Sequence, residues 1–105
     1  MKLTVRLREE ADRDVNAAAA WYEKQRRGLG HDFLDEVLST FESIGDRPLT
    51  YPLLHRNARR ALVRRFPFGI YFRVEHRTIV VVAILHASRH PRRWQRRAPG
   101  IDAVG

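Results

Sequence analysis

The chain contains no cysteine. That excludes disulfides and thiolate metal sites, and it suits a reducing compartment. Long apolar runs are also missing. The longest, Ile79 to Leu85, falls far short of the roughly 20 residues that a membrane helix requires. The N-terminus has no apolar signal core. A soluble, cytoplasmic protein with no membrane partner is therefore expected. Five histidines stand without carboxylate or cysteine at ligand spacing, so neither a metal nor a cofactor is expected.

The most informative shortage is of acid in the second half. From Leu53 to Arg97 there are twelve arginines and one carboxylate, Glu75. From Met1 to Pro52 there are eight Lys/Arg against ten acids. The net charge of +8 is made entirely in the second half. Segregated charge of this kind favours an anionic partner: nucleic acid, a nucleic-acid machine, or an acidic protein that neutralises the surface.

Periodicity divides the chain at similar places. Lys2 to Arg8 alternates apolar Leu3, Val5 and Leu7 with polar neighbours, which predicts a half-buried strand. From Glu9 the spacing becomes helical. Ala11, Val15, Ala18, Ala19 and Tyr22 share a face, and Glu9, Glu10, Asp12 and Asp14 enrich the first turns. A second stripe, Phe33, Leu34, Val37, Leu38, Phe41 and Ile44, follows Gly28 and Gly30. The two helices form a hairpin, and the prolines of Asp46 to Pro52 end the second one.

Three strands are expected next: Arg59 to Phe66, Phe68 to Glu75, and Thr78 to His86. The last is apolar on both faces and reads as the central strand. The predicted fold is α+β, in the order β-α-α-β-β-β, with a helical hairpin on one face of a mainly antiparallel sheet. The other face is left to the arginines. One domain is expected over residues 1–97, with residues 98–105 as a frayed tail.

In this order, Trp21–Tyr22 in AAAWY, the GLGHDFLDEV helix start, the RPLTYP turn and RRFPFGIYFRVEHRTIVVVAILHASRHPRRW resemble the RelE/ParE superfamily of toxins from bacterial toxin–antitoxin systems. The resemblance covers roughly residues 2 to 97. It implies one of two activities. RelE-like members cut mRNA in the ribosome, whereas ParE-like members poison DNA gyrase. It also implies a cognate acidic antitoxin that wraps the toxin in a hetero-oligomer.

The RelE nuclease pattern is matched only in part, so the ParE-like branch is the better fit. Arg89 stands where the pattern has an arginine after the last strand. Its third-strand arginine is replaced by Gly69, and the lysines, Lys2 and Lys24, lie far away in sequence. The last tyrosine is Tyr71, and Trp94 stands in the C-terminal segment, where its indole cannot transfer a proton.

If the chain is a nuclease, His86 and His90 flanking Arg89 are the candidate proton-transfer groups. Glu75 is a further candidate base, with Arg64 and Arg65 as phosphate clamps. The plainer reading has His86 ending a strand and Glu75 pairing with Arg73 or Arg77. Target contact is expected from Arg60, Arg64, Arg65, Arg92, Arg93 and Trp94. Alternation along one strand would set Arg60 and Arg64 on one face and Arg59 and Arg65 on the other. Trp94 stacks on a target in one reading and closes the core in the other. Tyr22 continues the first helix's stripe, and Trp21 sits at its edge, where it can meet a partner. A basic binding module without toxicity is the third reading of the chain.

Overall fold

The fold was analysed in a computed structural model, which describes residues 2–89 and 91–97. Strand β1 (Thr4–Leu7) leads into helix α1 (Glu9–Gln25), whose first turn carries Glu9, Glu10 and Asp12 where the helix dipole favours anions. Gly28, at φ +89°, turns the chain into helix α2 (Leu29–Asp46). The Glu23 carboxylate accepts the backbone N–H groups of Gly28 (2.9 Å) and Gly30 (3.0 Å), so α1 caps the start of α2. The helices also touch here. A Cβ on Gly30 would lie 2.5 Å from the Ala19 carbonyl oxygen.

After a 3₁₀ turn (Pro48–Thr50) come β2 (Leu53–His55), β3 (Ala58–Leu62), β4 (Phe68–Glu75) and β5 (Thr78–His86), and then a short helix α3 (Pro91–Arg97). The sheet order is β1-β5-β4-β3-β2. β1 pairs parallel with β5, and every other pair is antiparallel. The expected α+β architecture is present, with the short edge strand β2 and helix α3 in addition. β4 is the middle strand. β5 lies between β1 and β4 and is buried on both faces, as its doubly apolar sequence requires. Among the described residues no helix is long and apolar enough to cross a membrane.

The main core lies between the helical hairpin and the sheet. Phe33, Val37 and Ile44 of α2 and Ala11, Val15 and Ala18 of α1 pack on Ile70, Phe72, Ile79, Val81 and Ile84. Tyr22, Phe33, Phe66 and Phe68 form an aromatic group with ring centroids 4.8 to 6.0 Å apart. Each such pair adds roughly 0.5–1.5 kcal/mol beyond burial alone. A second, smaller cluster occupies the opposite face: Ala58, Tyr71, Val80, Val82, Ala83, Leu85 and Trp94.

One irregularity sets the far end of β5. Tyr71 pairs with Ala83 and Phe72 with Val81, so Val82 is an extra residue in the ladder. This bulge sends both Val82 and Ala83 to the smaller cluster and returns Ile84 to the main core.

Candidate partner-binding site

The arginine-rich second half does not form one bare cationic face. Several of its charges fold back onto the acidic half. Arg97 forms a two-toothed pair with Asp14, through Nη1–Oδ2 (2.5 Å) and Nη2–Oδ1 (3.3 Å), while Asp14 also accepts the Ile84 N–H at 3.0 Å. One carboxylate thus fastens α1 to β5 and to α3. Arg65 reaches Glu36 (3.7 Å) and Asp32 (3.9 Å) on α2 and lies over the Phe66 ring. Arg59 donates to the Tyr51 carbonyl at 2.7 Å, and Arg73 pairs with Glu75 at 2.6 Å.

Two strand expectations are corrected. β3 ends at Leu62, so Arg64 and Arg65 do not alternate across a sheet. They sit in the turn to β4, where Arg65 takes φ +70° and its ion pairs hold it to α2. The second sheet face is not left to arginine either, because α3 covers it. Trp94 is only 5% exposed and stacks on Tyr71 with ring centroids 4.5 Å apart and planes 13° apart. Its indole is therefore a core group rather than a surface on which a target can stack. Burying a large aromatic outweighs leaving it in water by a few kcal/mol, roughly 25 cal/mol per Å² of apolar surface.

Arg60 remains on this face. It lies over Gly69, where a Cβ would come within 3.0 Å of the arginine Cδ and 3.1 Å of the Tyr71 hydroxyl. Glycine at position 69 thus makes room for a cation supplied by the neighbouring strand. Burial raises the Tyr71 phenol above its ordinary range, and the adjacent Arg60 pulls in the opposite direction.

Three expected site residues converge elsewhere. His86, Arg89 and Arg93 line an open cavity of about 460 Å³ between α1, the start of β4, the end of β5 and α3. Ala17, Ala18, Phe68 and Ile84 contribute to its apolar floor, and Trp21 and Tyr22 form the helix-side wall. Trp21 is 58% exposed and meets Tyr22 edge-on, at 80°. Tyr22 is raised by burial, with the Arg89 charge acting against the shift. His86 packs on the Phe68 ring, and its Nδ1 faces the Ser88 N–H (3.3 Å) and Oγ (3.2 Å). Arg89 and Arg93 are exposed, with no side-chain partner among the described residues. Arg64 and Arg92 are exposed elsewhere on the surface. His90 lies outside the described residues.

Two of the candidate proton-transfer groups, His86 and Glu75, do not meet. Phe68 pairs with His86 at one end of the β4–β5 hairpin, and Glu75 pairs with Thr78 at the other. The two ends are seven residue steps apart along β4, about 23 Å at 3.3 Å per residue. Among the described residues no group of three or more His, Cys, Asp or Glu could hold a metal ion.

One part of this geometry has a sequence signal that stripe-reading passed over. Asp14 interrupts the buried face of α1 between Ala11, Val15 and Ala18, and a charge within an apolar stripe calls for a buried partner. Trp21 stands at the edge of the α1 stripe, as expected from its place beside Tyr22, and is exposed.

Comparison with known proteins agrees with this fold. The family described as the ParE toxin of the type II toxin–antitoxin system parDE matches residues 5–91. A comparison with curated protein sequences finds no match. The structure resembles one from the chromosomal ParDE toxin–antitoxin system of P. aeruginosa, with a TM-score of 0.73 and 15% identity, over 83% of this chain and 98% of that one. It also resembles a chain of the RelBE2 toxin–antitoxin complex from Mycobacterium tuberculosis, with a TM-score of 0.50 and 22% identity, over 82% of this chain and 99% of that one. At these identities the structural likenesses speak for the fold, and the family match covers most of the sequence. The chain belongs to the ParE toxin family of type II toxin–antitoxin systems.

Proposed function

We propose that this toxin acts by binding DNA gyrase, without cleaving nucleic acid itself, and that a cognate acidic antitoxin neutralises it in a hetero-oligomeric complex. The observation that carries the reading is the separation of His86 from Glu75 along the hairpin. Metal-free RNA cleavage needs a base at the 2′-hydroxyl and an acid at the leaving oxygen, both within hydrogen-bond reach of one phosphate. Glu75 is held by Arg73, and the His86 Nδ1 is turned to Ser88. Exposed arginines, with His86 and Glu75 held apart, suit a surface that grips an anionic machine. The toxin–antitoxin complexes among the structural likenesses support the antitoxin partner.

The test is a supercoiling and cleavage-complex assay with purified protein and gyrase. Blocked supercoiling or accumulated gyrase–DNA cleavage complexes are expected. No effect at stoichiometric excess, together with codon-phased mRNA cuts that vanish in Arg89→Ala, would replace this reading with a ribosome-dependent nuclease. Harmless overexpression without antitoxin would instead leave a basic binding module.

A further inference from the structure

The end of the described chain carries a dense group of unmatched cations. Arg89, Arg92, Arg93 and Arg96 are exposed, and none of them meets a carboxylate among the described residues. Exposed arginines near the helical hairpin behave differently: Arg13 pairs with Glu9 at 3.6 Å, Arg26 with Asp32 at 3.5 Å and Arg65 with Glu36 at 3.7 Å. Residues 98–105 hold a single acid, Asp102, which can offset one of the four charges at most.

Helix α3 sets two of the four in register. Trp94 belongs to the second cluster, and Arg92 and Arg96 stand two residues to either side of it. At 3.6 residues per turn both fall opposite the tryptophan, about 40° apart around the axis and about 6 Å apart along it. The helix carries no acid, so these like charges repel across one turn. It is held from beneath by the Trp94–Tyr71 stack and by Arg97 on Asp14, which gives the outward cations a fixed base.

From this we infer that α3 and the turn before it grip the phosphate backbone of duplex DNA, without reading its sequence. A duplex presents one negative charge per about 1.7 Å of axis, dense enough to meet cations spaced by a single helical turn. Arginine suits phosphate because its planar fork bonds two oxygens at once. Contacts to phosphate fix position and carry no sequence information. Single-stranded nucleic acid is the poorer fit. Its binding proteins stack bases on exposed aromatic rings, and the only Phe, Tyr or Trp between residues 87 and 97 is the buried Trp94. For a toxin that acts on gyrase, DNA already on the enzyme then forms part of the docking site. That setting rests on the function proposed above; the DNA contact does not.

The test uses the full-length chain and a fluorescein-labelled duplex of about 20 base pairs, with anisotropy followed from about 50 to 200 mM NaCl. Saturable binding is expected. It should weaken on the order of a hundredfold over that range, with a log–log slope of about −3.6 for four phosphate contacts. Arg92→Gln/Arg96→Gln should flatten the slope by about 1.8. Arg89→Gln/Arg93→Gln should do the same, and circular dichroism checks that both variants stay folded. Arg13→Gln/Arg26→Gln removes as much charge from the hairpin and should leave the slope unchanged. A duplex of scrambled sequence should bind within about twofold of the first, and the single strand more weakly than either.

Equal losses in the α3 and hairpin variants would reduce the effect to net charge and overturn the inference. So would tighter binding of the single strand, or no saturable binding at the lowest salt. DNA binding that depends on α3, in a chain that leaves gyrase untouched, would sink the toxin mechanism and keep the grip. Gyrase inhibition without DNA binding, unchanged in Arg92→Gln/Arg96→Gln, would sink the grip and keep the mechanism.

Discussion

The two faces of the sheet are closed by very different means. On one, two helices of 17 and 18 residues lay a continuous apolar stripe over the strands, and large side chains interlock. On the other, a helix of seven residues supplies a single large ring, Trp94, over a patch built mostly from valine and alanine. Of the four buried polar side-chain atoms without a hydrogen-bond partner among the described residues, Arg60 Nε, Tyr71 Oη and Arg73 Nη1 belong to residues on this second face or at its border, and Asn57 Oδ1 lies in the turn between β2 and β3. An unsatisfied buried polar atom opposes folding. The first face accounts for most of the stability, and the second keeps cations close to the surface at some expense of it.

The largest effect should come from the first face. Phe33→Ala removes the ring at the centre of the aromatic group and should cost about 3–5 kcal/mol, read from urea or thermal unfolding. Trp94→Ala should cost less, near ~3 kcal/mol, because a one-helix cover can settle onto the sheet more readily than a two-helix one. If Trp94→Ala proves the more damaging of the two, the ranking of the faces is wrong.

Asp14→Asn tests the clasp between them. It keeps the shape but removes the charge facing Arg97, and should cost about 1.5–3 kcal/mol, the range for hydrogen bonds to charged groups. That loss should persist in 1 M salt, since both side chains are mostly buried. The smallest contrast lies in alkaline titration. Tyr22 faces the hairpin core and Tyr71 the second cluster, and burial raises both phenols above the usual value. The stability they contribute is present below the unfolded tyrosine pKa, near ~10, and is lost as pH rises through the higher folded values. Absorbance at alkaline pH should show these phenols titrating late, and Tyr71→Phe should remove one late component without removing the other.

The hairpin half was legible because its side chains repeat at 3.6-residue spacing and its breaks carry glycine or proline. β4 and β5 were legible through alternation and through an apolar run too short for anything but a buried strand. β2 was not, since Leu53–His55 is three residues long and two of its side chains, Leu53 and Leu54, are exposed. α3 was hidden by its composition. Pro91 suits the first position of a helix, but seven residues with four arginines give no apolar stripe, only one tryptophan. Arg89 was found through its place after the last strand. Its neighbours Tyr22 and Trp21 lie nearly seventy residues earlier in the chain, and only the folding of α1 across β5 joins them.

The extra residue at Val82 acts as a phase shifter for everything downstream. Every position beyond it points to the side opposite the one that unbroken alternation would assign. His86 therefore faces the helices instead of the second cluster. Insertion or deletion of a single residue in the strand would turn the histidine outward while leaving composition and strand length almost unchanged. Relatives aligned without a one-residue gap at this point would match inward residues to outward ones, and a shared histidine would go unrecognised.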